Sequence, residues 1–71
     1  MFYQRIEDLR HDHDLSQQAV ADILHMHRSV YGRYERGDRE IPVWAVIKLA
    51  DFYKTSTDYI LGRTNNSASS K

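Results

Sequence analysis

Apolar residues along this chain recur at three- and four-residue intervals, which places them on one side of successive α-helices, and no stretch alternates with the period of a strand. Phe2, Ile6 and Leu9, with Tyr3 beside them, predict a first helix over about residues 2–12 whose other side carries Gln4, Glu7 and Asp8. Asp12-His13-Asp14 ends it. Ser16 is placed to cap the next helix, its hydroxyl accepting from an amide of the first turn, and Val20, Ile23 and Leu24 mark the buried stripe of residues 17–24. After only His25-Met26-His27 a third helix follows over 28–36, with Tyr31 and Tyr34 turned inward together and Gly37 as a left-handed terminator.

Asp38-Arg39-Glu40-Ile41 is a polar connector, and Pro42, which has no amide proton to leave unpaired, suits the first turn of helix four. Val43, Val46, Ile47, Ala50 and Tyr53 fall within about 120° of helical arc and are the expected core stripe. Leu49 and Trp44 flank it. Phe52 is left nearly opposite, an aromatic ring on a helix that already has its core. Ser56 caps a short fifth helix over 57–61, closed by Gly62. The chain thus divides into a globular unit of residues 1–63 and a tail over 64–71, without apolar anchors and expected to be disordered.

Composition narrows what such a bundle can do. With 71 residues, 41% of them apolar, there is material for one small core. The absence of cysteine excludes disulfides and thiolate metal sites as sources of stability. Charges at Arg5, Glu7, Asp8 and Arg10 interrupt any apolar leader, and no window approaches the ~20 apolar residues of a membrane span, so a cytoplasmic protein without membrane contact is expected. A pocket of roughly 300 Å³ is hard to enclose in so little core. With no nucleophile elbow or phosphate loop either, neither an enzyme nor a cofactor is expected. Ten lysines and arginines balance 10 acids, which argues against binding through bulk positive charge. A zero sum still hides local arrangement.

Residues 16–37 carry that arrangement: a capped helix, a three-residue turn and a second short helix rich in arginine, the length and capping of a helix-turn-helix. Ala19 and Ala21 are small where the first of these helices must let the second cross closely. With Tyr31 and Tyr34 inward, the outward side of 28–36 falls to Arg28, Ser29, Gly32, Arg33 and Arg36. Reading a DNA major groove needs this mixture: long donors that fork onto guanine O6 and N7, and short side chains that do not hold the backbone away. Arg36 and Arg39 are positioned to meet phosphates or to pair with Asp38 and Glu40.

The run Leu15-Ser-Gln-Gln-Ala-Val-Ala-Asp-Ile-Leu24, then Arg28-Ser29, Tyr34-Glu-Arg-Gly37, Pro42, Lys48-Leu-Ala-Asp-Phe-Tyr53 and Ser56-Thr-Asp-Tyr-Ile-Leu-Gly62 resembles the phage-repressor and Cro-like, XRE-type helix-turn-helix family over about residues 3–63. The resemblance implies an all-α, compact five-helix lambda-repressor-like domain that binds double-stranded DNA, with helix two across the phosphates and helix three in the major groove. It implies a transcriptional regulator acting as a homodimer on a two-fold operator, associated with the nucleoid. A repressor is the expected form, because so short a chain leaves little surface for recruiting polymerase. Carried over by position, Gln17 meets a phosphate, Arg28, Ser29, Gly32 and Arg33 face bases, and Arg10 and Glu35 form an ion pair between helices one and three. Two positions depart from the pattern: His25 stands where the turn often has glycine, and His27 where the recognition helix usually has a Ser or Thr cap. Gly32 weakens its helix by roughly 0.5–1 kcal/mol relative to alanine.

His11, His13, His25 and His27 form two His-x-His pairs near consecutive turns, but alternate residues face different sides of a helix, so no metal is expected. Protonation of His25 and His27 would add charge beside the phosphates. Trp44, Phe52, Tyr59 and Ile60 give helices four and five more apolar side chains than one small bundle needs, and the homodimer contact is expected there, through Phe52, Tyr59 and Ile60. A different class of function would use the same surface as a protein-interaction module, antitoxin-like or an adaptor. The Arg28 and Arg33 side separates the two readings.

Overall fold

Serine hydroxyls start two of the helices as the sequence predicts: Ser16 Oγ accepts from the Ala19 amide at 3.0 Å and Ser56 Oγ from the Tyr59 amide at 3.0 Å, caps each worth about 1 kcal/mol. The structure, a computed structural model, describes residues 2–67. Its elements are α1 (Gln4–Asp12), α2 (Gln17–Ile23), α3 (Arg28–Arg36), α4 (Val43–Tyr53) and α5 (Thr57–Ile60), with no strand among the described residues. α2 packs chiefly on α3, α4 on α5, and α1 on both α3 and α5. Ile6, Leu9, Val20, Leu24, Tyr31, Leu49 and Ile60 meet in the centre.

Three local details differ from expectation. α1 begins two residues late, at Gln4, and Phe2 lies against the end of α3, where a Cβ on Gly37 would come within 3.0 Å of the Phe2 Cβ. Glycine is thus required at 37 twice over, by this close approach and by its φ of 79°. Pro42 is the cap of α4 rather than part of its first turn: its backbone is extended, and its carbonyl accepts from the Ala45 and Val46 amides at 3.0 and 3.2 Å.

The third detail is the phase of α4. Ala45, Val46, Leu49, Ala50 and Tyr53 are buried, while Val43 and Ile47, expected in the core, are exposed. The helix is rotated by less than a quarter turn from the sequence reading. Ala45 and Leu49 take the inward places expected for Val43 and Ile47, and fully buried Ala45 lets α4 sit close to its neighbours there.

Residues at the C-terminal end are tied back to the bundle. Arg5 lies over the Tyr59 ring at 4.0 Å and donates to the carbonyls of Tyr59 (2.8 Å) and Thr64 and to Asn65 Oδ1 (2.7 Å). Buried Thr55 donates to the Ser67 carbonyl at 2.6 Å. The first part of the expected tail, 64–67, therefore has defined partners in α1 and at the end of α4. The remainder, 68–71, lies outside the described residues.

Candidate nucleic-acid interface

The outward side of α3 is held from behind by a buried ion pair. Arg10 of α1 donates through Nε to Glu35 Oε2 at 2.6 Å and through Nη2 to Oε1 at 3.2 Å, the pairing that the resemblance implied. Its remaining nitrogen, Nη1, donates to the Leu15 carbonyl at 2.9 Å, so one guanidinium joins α1, α3 and the lead-in to α2. Burial by itself would raise the Glu35 carboxyl; the donors Arg10 and Gln17 outweigh it and hold the group below the usual carboxylate range. Donating these same hydrogen bonds to Glu35 raises the Arg10 guanidinium. Tyr31 is buried next to this carboxylate, and desolvation, reinforced by the neighbouring negative charge, pushes its hydroxyl far up.

Gln17 carries the network to the surface. Its Nε2 donates to Glu35 Oε1 at 3.0 Å, and its Oε1 accepts from Arg28 Nη1 at 3.2 Å. Partner chemistry fixes this orientation, since a carboxylate can only accept and a guanidinium can only donate. Gln17 was expected to offer its amide to a phosphate; in the structure both ends of that amide are engaged. The first residue of α3 is thereby linked through two hydrogen bonds to the buried pair.

The other predicted contact residues divide by environment. Arg28, Ser29, Arg33 and Arg36 are exposed. Ser29 and Arg33 make no side-chain hydrogen bond among the described residues, while Arg36 Nε donates to Asp38 Oδ2 at 3.0 Å in an exposed pair. Gly32 is buried, contrary to the expectation that it faces outward. A Cβ there would come within 3.3 Å of Arg36 Nη1 and 3.5 Å of Gln17 Oε1, so the missing side chain makes room for these two to close over the helix.

The turn preceding α3 is built without the usual residues. His25 itself takes the left-handed conformation, φ 55°, at a position where a Cβ is unfavourable. His27 caps α3 through backbone alone, its carbonyl accepting from Val30 and Tyr31 at 3.0 and 3.1 Å, with no bond from its ring. Both imidazoles line an open cleft with Gln18, Asp22, Met26 and Arg28. His13 packs against the Tyr53 ring at 4.8 Å, and His11 lies 3.8 Å from Glu7. No group of three or more His, Asp or Glu placed to hold a metal occurs among the described residues.

The expected dimer contact is also rearranged. Ile60 is a core residue and Tyr59 is half-buried beneath Arg5, so of Phe52, Tyr59 and Ile60 only Phe52 is exposed. Sequence reasoning gave Lys48 and Asp51 no role, yet they stand with Trp44, Ile47, Phe52 and Ile23 around a surface groove on α4. The signal was present as a second helical stripe at 44, 47, 48, 51 and 52.

A capped helix, a tight turn and a second helix with outward cations define a helix-turn-helix fold. A family model described as helix-turn-helix matches residues 6–60, and the chain belongs to that family. It is 36% identical over 66 residues to the uncharacterized HTH-type transcriptional regulator YobD of Bacillus subtilis, covering 93% of this chain and 59% of that protein. To the HTH-type transcriptional regulator AnsR of Bacillus subtilis it is 38% identical over 63 residues, covering 89% of this chain and 54% of AnsR. To the cryptic phage CTXphi transcriptional repressor RstR of Vibrio cholerae it is 40% identical over 53 residues, covering 75% of this chain and 48% of RstR. The chain thus spans about half to three-fifths of the length of these curated relatives. No solved structure matches it. No helix among the described residues is long and apolar enough to cross a membrane.

Proposed function

We propose that this chain is a sequence-specific DNA-binding transcriptional regulator that acts as a repressor, by occupying its operator as a homodimer. The observation that carries the reading is the outward side of α3, where Arg28, Ser29 and Arg33 are exposed and Arg28 is aimed by Gln17. A guanidinium held at the first residue of a groove-entering helix suits bidentate recognition of guanine. Arg36 exchanges Asp38 for a phosphate at the groove edge, a small loss because an exposed pair is worth little. Gln17 acts at the backbone edge by fixing Arg28, and Gly32 by leaving space. The relatives named as transcriptional regulators, and RstR named as a repressor, support the same reading.

Selection of bound sequences from a random double-stranded pool, followed by a mobility titration on the selected site, tests it. An inverted repeat with half-sites about one helical turn apart is expected. Failure to enrich any motif, with binding no tighter than to bulk DNA, would remove the reading.

A further inference from the structure

We propose that the outer face of α4 is the docking surface for a second copy of this chain, crossing antiparallel over Lys48 and Asp51. The inference rests on the homodimer reading and deepens it by assigning the face. α4 carries two stripes. Ala45, Val46, Leu49, Ala50 and Tyr53 are spent on the core, whereas Trp44, Ile47, Lys48, Asp51 and Phe52 follow the i, i+3, i+4, i+7, i+8 spacing of a second packing face turned to solvent. Trp44 is 53%, Ile47 48% and Phe52 42% exposed, with Val43 beside them at 74%. Contiguous apolar exposure of this kind, rimmed by polar groups, marks an interaction surface. The groove between these side chains is completed by Ile23 from the end of α2.

The charges select the occupant. Lys48 and Asp51 are exposed, and neither forms an ion pair or side-chain hydrogen bond with any described residue. In a two-fold contact residue i meets residue j and j meets i, so a surface docks on itself only if each charge finds its opposite under the same rotation. A two-fold axis level with the midpoint between Lys48 and Asp51 does this: Lys48 of each copy faces Asp51 of the other, while Ile47 on one flank of the stripe and Phe52 on the other each meet their own copy. One rotation thus pairs both charges and closes an apolar flank on either side of them. With one acid and one base the stripe carries no net charge to select a partner of opposite sign, and its own copy satisfies both charges at once.

Sedimentation of the full chain without DNA, up to about 1 mM, tests the assignment separately from base reading. Trp44 is the only tryptophan, so its emission reports directly on burial of this face. A concentration-dependent dimer is expected, with the emission shifting to the blue as it forms. Lys48→Asp and Asp51→Lys are each expected to weaken association at least about tenfold by setting like charges opposite one another. Mixing the two variants restores the dimer, because the first then carries only acids at these positions and the second only bases. Both changes are at exposed positions, and an unchanged circular-dichroism spectrum verifies the fold. A monomer at every concentration, a dimer indifferent to Ile47→Asp and to both charge reversals, or a mixture that stays monomeric would each overturn the proposal. Loss of DNA recognition in Arg28→Ala with the dimer intact leaves it standing.

Discussion

α3 and α4 both show one side to solvent, and the two sides are built on opposite principles. On α3 the exposed groups are long cations, and the first of them is positioned through Gln17 from the Arg10–Glu35 pair at the base of the helix. On α4 the exposed groups are Trp44, Ile47 and Phe52 around two charges that nothing in the described chain engages. The difference fits what each surface would have to overcome in the role proposed for it. An arginine that reads a base loses rotamer freedom on binding, and a scaffold that has already ordered it lowers that cost. Rings that only need to leave water require shape and area, with no aiming network behind them.

Breaking the scaffold should damage α3 most. Glu35→Ala leaves Arg10 buried and unpaired and is expected to cost about 3–5 kcal/mol of stability, measured as a fall in the urea midpoint. The wild-type protein has the same weakness to acid. Because Glu35 titrates lower folded than unfolded, its contribution is present above the ordinary carboxylate range and is lost as pH falls below about 4. Alkali acts through a different group. Burial of Tyr53 pushes its hydroxyl up to about 12, so the folded state stays protonated after the unfolded chain ionises. Stability is therefore expected to hold to about pH 10 and to decline from there towards pH 12, an outcome that denaturation midpoints across this range will check.

Smaller changes sharpen the contrast. Gln17→Ala is expected to cost roughly 1 kcal/mol of binding, confined to discrimination at the base pair read by Arg28. A Gln17 that served as a phosphate donor would instead weaken all sequences equally. Gly32→Ala should stabilise the fold by about 0.5–1 kcal/mol, because the nearest obstacle is the far end of the flexible Arg36 side chain. A thermal scan showing destabilisation would mean that the closure of Gln17 and Arg36 over α3 cannot relax.

What sequence could show depended on how local its cause was. Ser16, Ser56 and Gly37 act within a turn of their own position, and the structure places all three where their chemistry predicts. The phase of α4 is ambiguous in the sequence because Val43, Trp44, Val46, Ile47 and Leu49 are apolar almost all round the helix, and only tertiary fit, which takes Ala45 and Leu49 inward and leaves Val43 and Ile47 outside, decides which stripe is buried. Ile60 looked available for a partner but fills the core, and Arg5, one of two arginines in α1, gave no hint that it would hold Tyr59, Thr64 and Asn65. On the candidate site, residue identity showed which side of α3 is basic. It did not show that Gly32 is covered or that Gln17 is held at both ends of its amide, since both depend on how α1, α2 and α3 meet.

If α3 reads bases through an arginine fixed from behind, preference at one position of the half-site depends on Arg28. The direct measurement is the affinity of wild-type and Arg28→Ala protein for the selected operator and for every single base-pair substitution in one half-site. A loss of about 1–3 kcal/mol on the operator is expected, with preference flattened at one position and kept elsewhere. Uniform weakening across all sites, with every preference intact, would contradict it.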